Sequence, residues 1–131
     1  MILLMNLLLR GWMILMAIMS KKSNSRAVGH TYERQIRREL IDLGWDECQT
    51  TRYASKQLDD QLVDFTNTPP FQIQAKRWSH APAYQDVLKA MPQNENYNII
   101  IHKKPNKGEV VVMDKKSFYE IVGMLRAEKI I

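Results

Sequence analysis

One long apolar run opens the chain, and shorter segments of regular hydrophobic spacing follow it. Residues 1–19, M-I-L-L-M-N-L-L-L-R-G-W-M-I-L-M-A-I-M, are apolar almost throughout, with Arg10 near the middle. Residues 20–26 are polar and basic and read as a flexible lead-in. Over 27–43 the apolar positions Tyr32, Ile36, Leu40 and Leu43 recur at helical spacing, and Gly44 follows as a stop signal. This predicts an amphipathic helix with Arg34, Arg37, Arg38 and Glu39 on its solvated side. Residues 45–54, with Thr50, Thr51 and Tyr53, suit a first strand, and 61–66 (Q-L-V-D-F-T) a second. Asn67, Thr68, Pro69 and Pro70 form a turn cluster. Over 71–75 Phe71, Ile73 and Ala75 alternate with Gln72 and Gln74, a strand with two distinct faces, so 62–76 reads as a hairpin.

Residues 79–82 break the pattern, and 83–91 form a short helix stopped by Pro92. Residues 97–102 (Y-N-I-I-I-H) read as an apolar strand buried on both faces. A basic turn, 103–108 (K-K-P-N-K-G), leads to a further strand at 110–113. Asp114 or Ser117 can cap a last helix whose buried stripe is Phe118, Ile121, Val122 and Leu125. The order helix, three strands, helix, two strands, helix predicts a single α/β domain over 27–131, with a mixed central sheet flanked by helices.

The apolar start has three readings. A membrane-spanning helix needs about 20 apolar residues, so 1–19 is barely long enough. Arg10 at mid-bilayer would cost roughly 2.5–3.5 kcal/mol. A secretory signal would want a basic start and a small-residue cleavage site, which this segment lacks. In the third reading the segment is not native coding sequence, because Met13, Met16 and Met19 offer later starts and M-S-K-K-S-N-S-R suits a soluble N-terminus. If the segment inserts, Lys21, Lys22 and Arg26 hold the rest on the cytoplasmic side, as a membrane-tethered domain. In all but the secretory reading the domain is cytoplasmic.

Composition narrows the classes. The 131 residues leave room for one ordinary domain, and 45% hydrophobic with 25% charged residues excludes general disorder. A lone cysteine, Cys48, excludes a disulfide-stapled scaffold and a cysteine-based zinc site. A net charge of +5 favours an anionic partner. Its basic residues cluster as Arg34, Arg37 and Arg38 on the first helix, Lys76 and Arg77 at a strand end, and Lys103, Lys104 and Lys107 in one turn. Such groups fit contacts to a DNA phosphate backbone.

The stretch 64–76 carries the candidate chemistry. Gln74 and Lys76 lie two apart on a strand and point to one face. A hairpin folded at 67–70 brings Asp64 opposite them, and Glu33 from the first helix completes a set that can hold a divalent cation. Phosphodiester hydrolysis needs an activated water and neutralised phosphate charge, which Mg²⁺ supplies through oxygen ligands. Asp64 would be the direct ligand, with Gln74 a neutral carbonyl ligand. Glu33 would act through a water or at a second metal, and Lys76 would orient the attacking water or stabilise phosphate charge. Asp60 is the alternative to Asp64. Asp59 and Asp60 lie among polar residues and read as a solvated turn, whereas Asp64 sits in an apolar strand, where an unpaired carboxylate is costly.

G-H-T-Y-E-R-Q-I (29–36), V-D-F (63–65) and I-Q-A-K-R-W (73–78) resemble the PD-(D/E)XK nuclease superfamily. The opening helix, the strand end at 52–55 and the size are similar to archaeal-type Holliday-junction resolvases and related phage proteins. The Q-A-K-R-W stretch is similar to Mrr-type restriction endonuclease domains, which also carry Gln in place of the acid. The resemblance covers about residues 26–122. It implies a restriction-endonuclease-like αβββαβ core and Mg²⁺-dependent DNA cleavage, with Mn²⁺ able to substitute. It would place metal and catalytic roles on Glu33, Asp64, Gln74 and Lys76, and a phosphate or water contact on Ser55. Branched DNA and a homodimer acting on two strands would follow from a nuclease with no separate DNA-reading domain.

Plainer readings stand beside these. Asp64 can be a strand-end residue satisfied by a backbone amide. Gln74 and Lys76 can be the solvent face of an edge strand, and Glu33 can pair with Arg37 along the helix. His30, His80 and His102 lack metal-ligand spacing and read as surface residues. Trp45 and Trp78 read as packing, and Cys48 as a small half-buried residue. Gln74 in place of an acid also leaves open a nuclease fold that binds DNA without cutting it.

Overall fold

A computed structural model describes the backbone of residues 2–131, and their side chains apart from 2–4, 7, 12, 14–25 and 53. The first element, α1, is a helix over Ile2–Asp42. Two compact units divide at its length, Met1–Thr31 and Tyr32–Ile131.

In the first unit, the lead-in expected at 20–26 is helix. With no proline before Pro69, nothing in this stretch removes a helical hydrogen bond. Most side chains of the 1–19 apolar run lie outside the described residues. Those of Met5, Leu8, Leu9 and Met13 are more than half exposed. Among the described residues no helix is long and apolar enough to cross a membrane.

The second unit begins with the last turns of α1. Tyr32, Ile36 and Leu40, four apart, are buried on one face, as the periodicity predicts. Leu43, expected in that stripe, is 75% exposed. The helix has already ended there: Gly44 adopts φ 119°. Its N–H reaches Ile41 O at 3.0 Å, while Trp45 N–H reaches Leu40 O at 3.1 Å. This closure leaves Leu43 as the cap residue facing solvent. Arg37 then ties the following loop to the helix, its Nε donating to Cys48 O at 2.9 Å. Cys48 is fully buried rather than half-buried.

The expected first strand shrinks to β1 (Gln49–Thr50), and two short helices follow, α2 (Thr51–Ala54) and α3 (Lys56–Asp60). Thr51 diverts the chain. Its backbone N–H donates to Asp64 O at 2.9 Å and its hydroxyl to Val63 O at 2.7 Å, so the threonine that looked like a strand former is a bracket between segments. Ser55 caps α3 by accepting from Leu58 N. The second strand, β2, is only Phe65–Thr66 and pairs antiparallel with β1, Gln49 opposite Thr66 and Thr50 opposite Phe65. Leu62, at φ 65°, turns the chain just before it.

After the Pro-rich turn come β3 (Phe71–Arg77), α4 (Tyr84–Ala90), β4 (Tyr97–Lys104), β5 (Gly108–Val112) and α5 (Lys115–Ala127). The strands form a three-stranded sheet in the order β3-β4-β5, separate from the two-stranded β1-β2 ladder. β3 and β4 run parallel with Lys76 opposite His102, and β4 and β5 run antiparallel with His102 opposite Val110. The protein is therefore mixed α/β, and the single central sheet expected from the strand order is two sheets. The hairpin joins them through one backbone bond, Asp64 N to Ile73 O at 2.8 Å.

The core lies on one face of β3-β4. Ile73, Ala75 and Ile99 pack with Tyr32, Ile36, Leu40, Cys48 and Phe65. Gln72, Gln74, Lys76, Ile100 and His102 occupy the alternate positions on the other face. Asp114 caps α5, its carboxylate accepting from Ser117 N at 2.8 Å. The stripe expected on α5 is only partly covered, with Phe118 52% exposed and no α5 residue fully buried.

Ile73→Ala should therefore cost about 2–5 kcal/mol in urea unfolding. Phe118→Ala, at the exposed position on α5, should stay within about 0.5 kcal/mol. Equal costs at the two positions would contradict this placement of the core.

Candidate active site

Asp64 sits at the seam between the two sheets, with its backbone fully engaged. Its N–H donates to Ile73 O at 2.8 Å and its carbonyl accepts from Thr51 N at 2.9 Å. Its side chain is only 8% exposed. The carboxylate Oδ2 accepts two hydrogen bonds from β3, from Ala75 N at 2.7 Å and from Gln74 Nε2 at 2.9 Å. The chain folds back at 67–70 and brings Asp64 onto Gln74, but the expected hairpin is not a strand ladder, because β2 pairs with β1 and not with β3.

Gln74 is 5% exposed. With its Nε2 on Asp64, the amide orientation is set, and its Oε1 is buried without a hydrogen-bond partner. An orphaned buried carbonyl oxygen costs on the order of 1–3 kcal/mol. β3 is an edge strand of its sheet, as the plainer reading had it, but Gln74 is buried there and Lys76 half-buried, so they do not form a solvent face.

Charge converges on the same place. Burial, first, pushes the Asp64 carboxyl up to about 7; the Ala75 N–H opposes the rise, and Glu33 and Asp59 add to it while Lys76 counters it. Glu33 is likewise raised, first by burial and then by Asp59, against the pull of Arg52, Lys76 and Arg34. Glu33 pairs with Arg52 at 3.8 Å, not with Arg37, whose guanidinium is held by Cys48 O. The structure thus gathers Glu33, Asp64, Gln74 and Lys76. It adds two residues the sequence reading did not place there, Arg52 and Asp59. Asp59 had been read as part of a solvated turn. Its exposed position in α3 agrees with that, yet the helix carries its charge toward both carboxylates. Asp60 is exposed on the same helix, which leaves Asp64 as the buried carboxylate.

Lys76 is half-buried, and its Nζ lies 4.6 Å from the Trp78 ring centroid. Trp78 in turn stacks on His80, with centroids 5.5 Å apart. Trp45 packs edge-on against Phe71, and its Nε1 donates to Pro69 O at 2.8 Å. Among the described residues no three His, Cys, Asp or Glu side chains cluster closely enough to hold a metal by themselves. The oxygen donors on offer are mixed: Asp64, the orphaned Gln74 Oε1 and Glu33. This is a hard, oxygen-only set of the kind Mg²⁺ accepts while keeping waters of its own, so the residues fit the ion.

The basic residues divide. Arg34 and Arg38 are exposed on α1, Arg37 is a structural tie, and Arg77 is half-buried at the end of β3. Lys103 pairs with Glu109 at 3.6 Å and lies 5.9 Å from the Tyr32 ring centroid. Lys104 and Lys107 are exposed at the β4–β5 turn. Ser55 faces its own helix as a cap. His102, expected on the surface, is 3% exposed and bonded through both ring nitrogens.

No family model, curated protein or solved structure matches the chain.

The raised Asp64 carboxyl has a stability signature. In the folded chain it holds its proton up to about pH 7, whereas in the unfolded chain it has the ordinary aspartate value of 3.8. Stability is then greatest at the acid end of that interval and falls as pH rises through it. Asp64→Asn, which cannot ionise, should flatten this slope and exceed the wild type at pH 8 by on the order of 3 kcal/mol. Urea unfolding at intervals from pH 4 to 8 measures it, and parallel curves for the two proteins would disprove the shift.

Proposed function

We propose that the chain is a metal-dependent DNA endonuclease with a restriction-endonuclease-like domain, selective for branched DNA. The observation that carries this reading is the buried Asp64–Gln74 pair: Gln74 Oε1 is unsatisfied, and Asp64 feels the charges of Glu33 and Lys76. A buried oxygen without a partner calls for an explanation, and a metal ligand position would supply one. The sequence resemblance supports the same assignment, since Glu33, Asp64, Gln74 and Lys76 are the positions it marks.

Asp64 and Gln74 would hold Mg²⁺ or Mn²⁺, with Glu33 as a further or water-mediated ligand. The ion, when bound, supplies the charge that neutralises phosphate and activates water. The chain does the rest. Ala75 N–H and Gln74 Nε2 fix the Asp64 carboxylate. Arg52 restrains Glu33. Lys76, steadied by the Trp78 ring, is placed to orient the attacking water and to stabilise charge developing on the phosphate. Gln74 in place of an acid has a physical rationale here: a carboxylate at that position would sit within hydrogen-bond distance of Asp64, and the amide replaces that repulsion with a bond. Selectivity for a branch would come from DNA shape, and cutting two strands from a homodimer.

A second reading, a nuclease fold that binds DNA without cutting, draws on the same Gln74, because an amide oxygen is a weaker ligand than a carboxylate. Cleavage of a labelled four-way junction beside linear duplex, with Mg²⁺, Mn²⁺ or EDTA, separates the two. We expect metal-dependent paired cuts in the junction. Lys76→Ala should abolish them with junction binding retained, and Asp64→Ala should abolish them as well. Cutting of both substrates would favour an Mrr-like nuclease over a resolvase. Binding without cutting under every metal would establish the second reading.

Because the metal requires ionised Asp64, Mg²⁺ affinity should rise up to about tenfold per pH unit below pH 7 and level off above it. Gln74→Glu should tighten Mg²⁺ binding, since it adds a charged ligand. Isothermal titration of both proteins against pH checks this, and a pH-independent affinity would remove Asp64 from the ligand set.

A further inference from the structure

On the same sheet face as Lys76, one strand away, lies a polar arrangement that the nuclease chemistry does not use. His102 Nε2 is 3.1 Å from Trp78 O, and His102 Nδ1 is 2.8 Å from the Tyr84 hydroxyl. A carbonyl oxygen only accepts, so Nε2 carries the proton and donates to it. In the neutral ring Nδ1 is then the acceptor, and the Tyr84 hydroxyl donates to it. The phenol oxygen is therefore left as an acceptor. Tyr84 and His102 line a cavity of about 250 Å³ together with Lys104, Lys107, Gly108 and Glu109. Glu109 is engaged by Lys103, while Lys104 and Lys107 form no ion pair among the described residues. Two lysines without an ion pair among the described residues thus line one small open cavity together with Tyr84 and the buried His102.

We propose that this cavity is a second phosphodiester site, in which Lys104, Lys107 and the Tyr84 hydroxyl receive a nucleic-acid backbone phosphate and His102 takes up one proton as it binds. The proton follows from the hydrogen-bond directions. A diester near neutral pH brings no proton of its own, and the Tyr84 oxygen as it stands would face the phosphate with lone pairs. A solvent proton on Nδ1 reverses that bond. Nδ1–H then donates to the Tyr84 oxygen, the phenol proton turns to a phosphate oxygen, and Nε2–H stays on Trp78 O. The phosphate's negative charge offsets the added positive charge. The charged and titratable groups facing His102 are Tyr84 from α4, Lys76 in register on β3, Lys104 on β4, Lys107 in the turn and Glu109 on β5. Lys76 lies in register with His102 on the adjacent strand, about 4.8 Å away along the sheet, so the cavity could seat a phosphate near the one at Lys76. The placement beside a scissile phosphate rests on the nuclease reading; the phosphate site itself does not.

The test is done on the full chain in EDTA, so that cleavage plays no part. The His102 ring nitrogens are followed by NMR while dimethyl phosphate, and separately a short DNA duplex, is added. Either ligand should convert Nδ1 from a bare acceptor to a protonated nitrogen. Lys104→Gln with Lys107→Gln should make the salt dependence of duplex binding shallower by about 2 in log–log slope. Lys116→Gln, on α5, serves as the control and should leave it unchanged. Tyr84→Phe should abolish the linked proton uptake while duplex binding is retained in weakened form. Duplex binding with Nδ1 unchanged and the slope unchanged would overturn the site. A response to dimethyl phosphate but not to duplex would overturn the nucleic-acid assignment. Since none of these readouts depends on cutting, an inactive protein that gives the expected shifts would sink the nuclease reading and leave this one standing.

Discussion

The carboxylate of Asp64 is the point on which the second unit turns. Its Oδ2 takes the Ala75 amide and the Gln74 side chain, while its backbone joins Ile73 on one side and Thr51 on the other. The β1-β2 ladder is two residues long per strand and the three-stranded sheet is separate from it. A seam that short has few ladder bonds to hold it, so a charged side chain bonding a backbone N–H across the hairpin matters more than it would inside a long ladder. The arrangement carries a cost, because the buried carboxylate is pushed toward protonation. A cation held there, as proposed, would reverse that cost.

Helix α1 and strand β3 divide the labour. On one face of the sheet the alternation of Ile73 and Ala75 with Ile99 on β4 makes a dry layer against Tyr32, Ile36 and Leu40. On the other face the intervening positions are Gln74, Lys76 and His102, polar side chains held by specific partners. The two-residue period of the strand is what lets seven residues serve both purposes. Arg37 and Ser55, which look available for DNA from their types alone, are instead used to hold the loop and cap the helix that carry Cys48 and Asp59. Of the basic residues singled out as phosphate contacts, Arg34 and Arg38 are exposed on α1 and Lys104 and Lys107 at the β4–β5 turn.

Much of the fold was legible in the chain. The helix face of Tyr32, Ile36 and Leu40, the strand with alternating faces at β3, the apolar β4, the basic turn after it and the Asp114 cap all follow from local spacing and residue type. So did the pairing of Asp64 with Gln74, because a turn of known position folds one segment back on the other. The helical content of 51–60 was not legible. Thr50, Thr51 and Tyr53 have strand-forming side chains, and only the bonds of Thr51 to Val63 and Asp64 end the strand. Nor was the reach of Asp59 or the Glu33–Arg52 pair, since both depend on where α2 and α3 lie against α1. His102 carries no mark of burial in its neighbours' types, yet its register opposite Lys76 and its bond to Trp78 O bury it.

The sequence by itself therefore determined the elements whose signals are periodic, and the short list of acids, amide and lysine able to do chemistry. Periodicity is a property of the backbone's own geometry and needs no partner to be read. The tertiary structure alone decided which carboxylate is buried and raised toward neutrality, that the Gln74 Oε1 is left without a donor, and which arginine pairs with Glu33. Desolvation, hydrogen-bond direction and ion pairing each depend on groups brought together from distant parts of the chain. No local pattern encodes them.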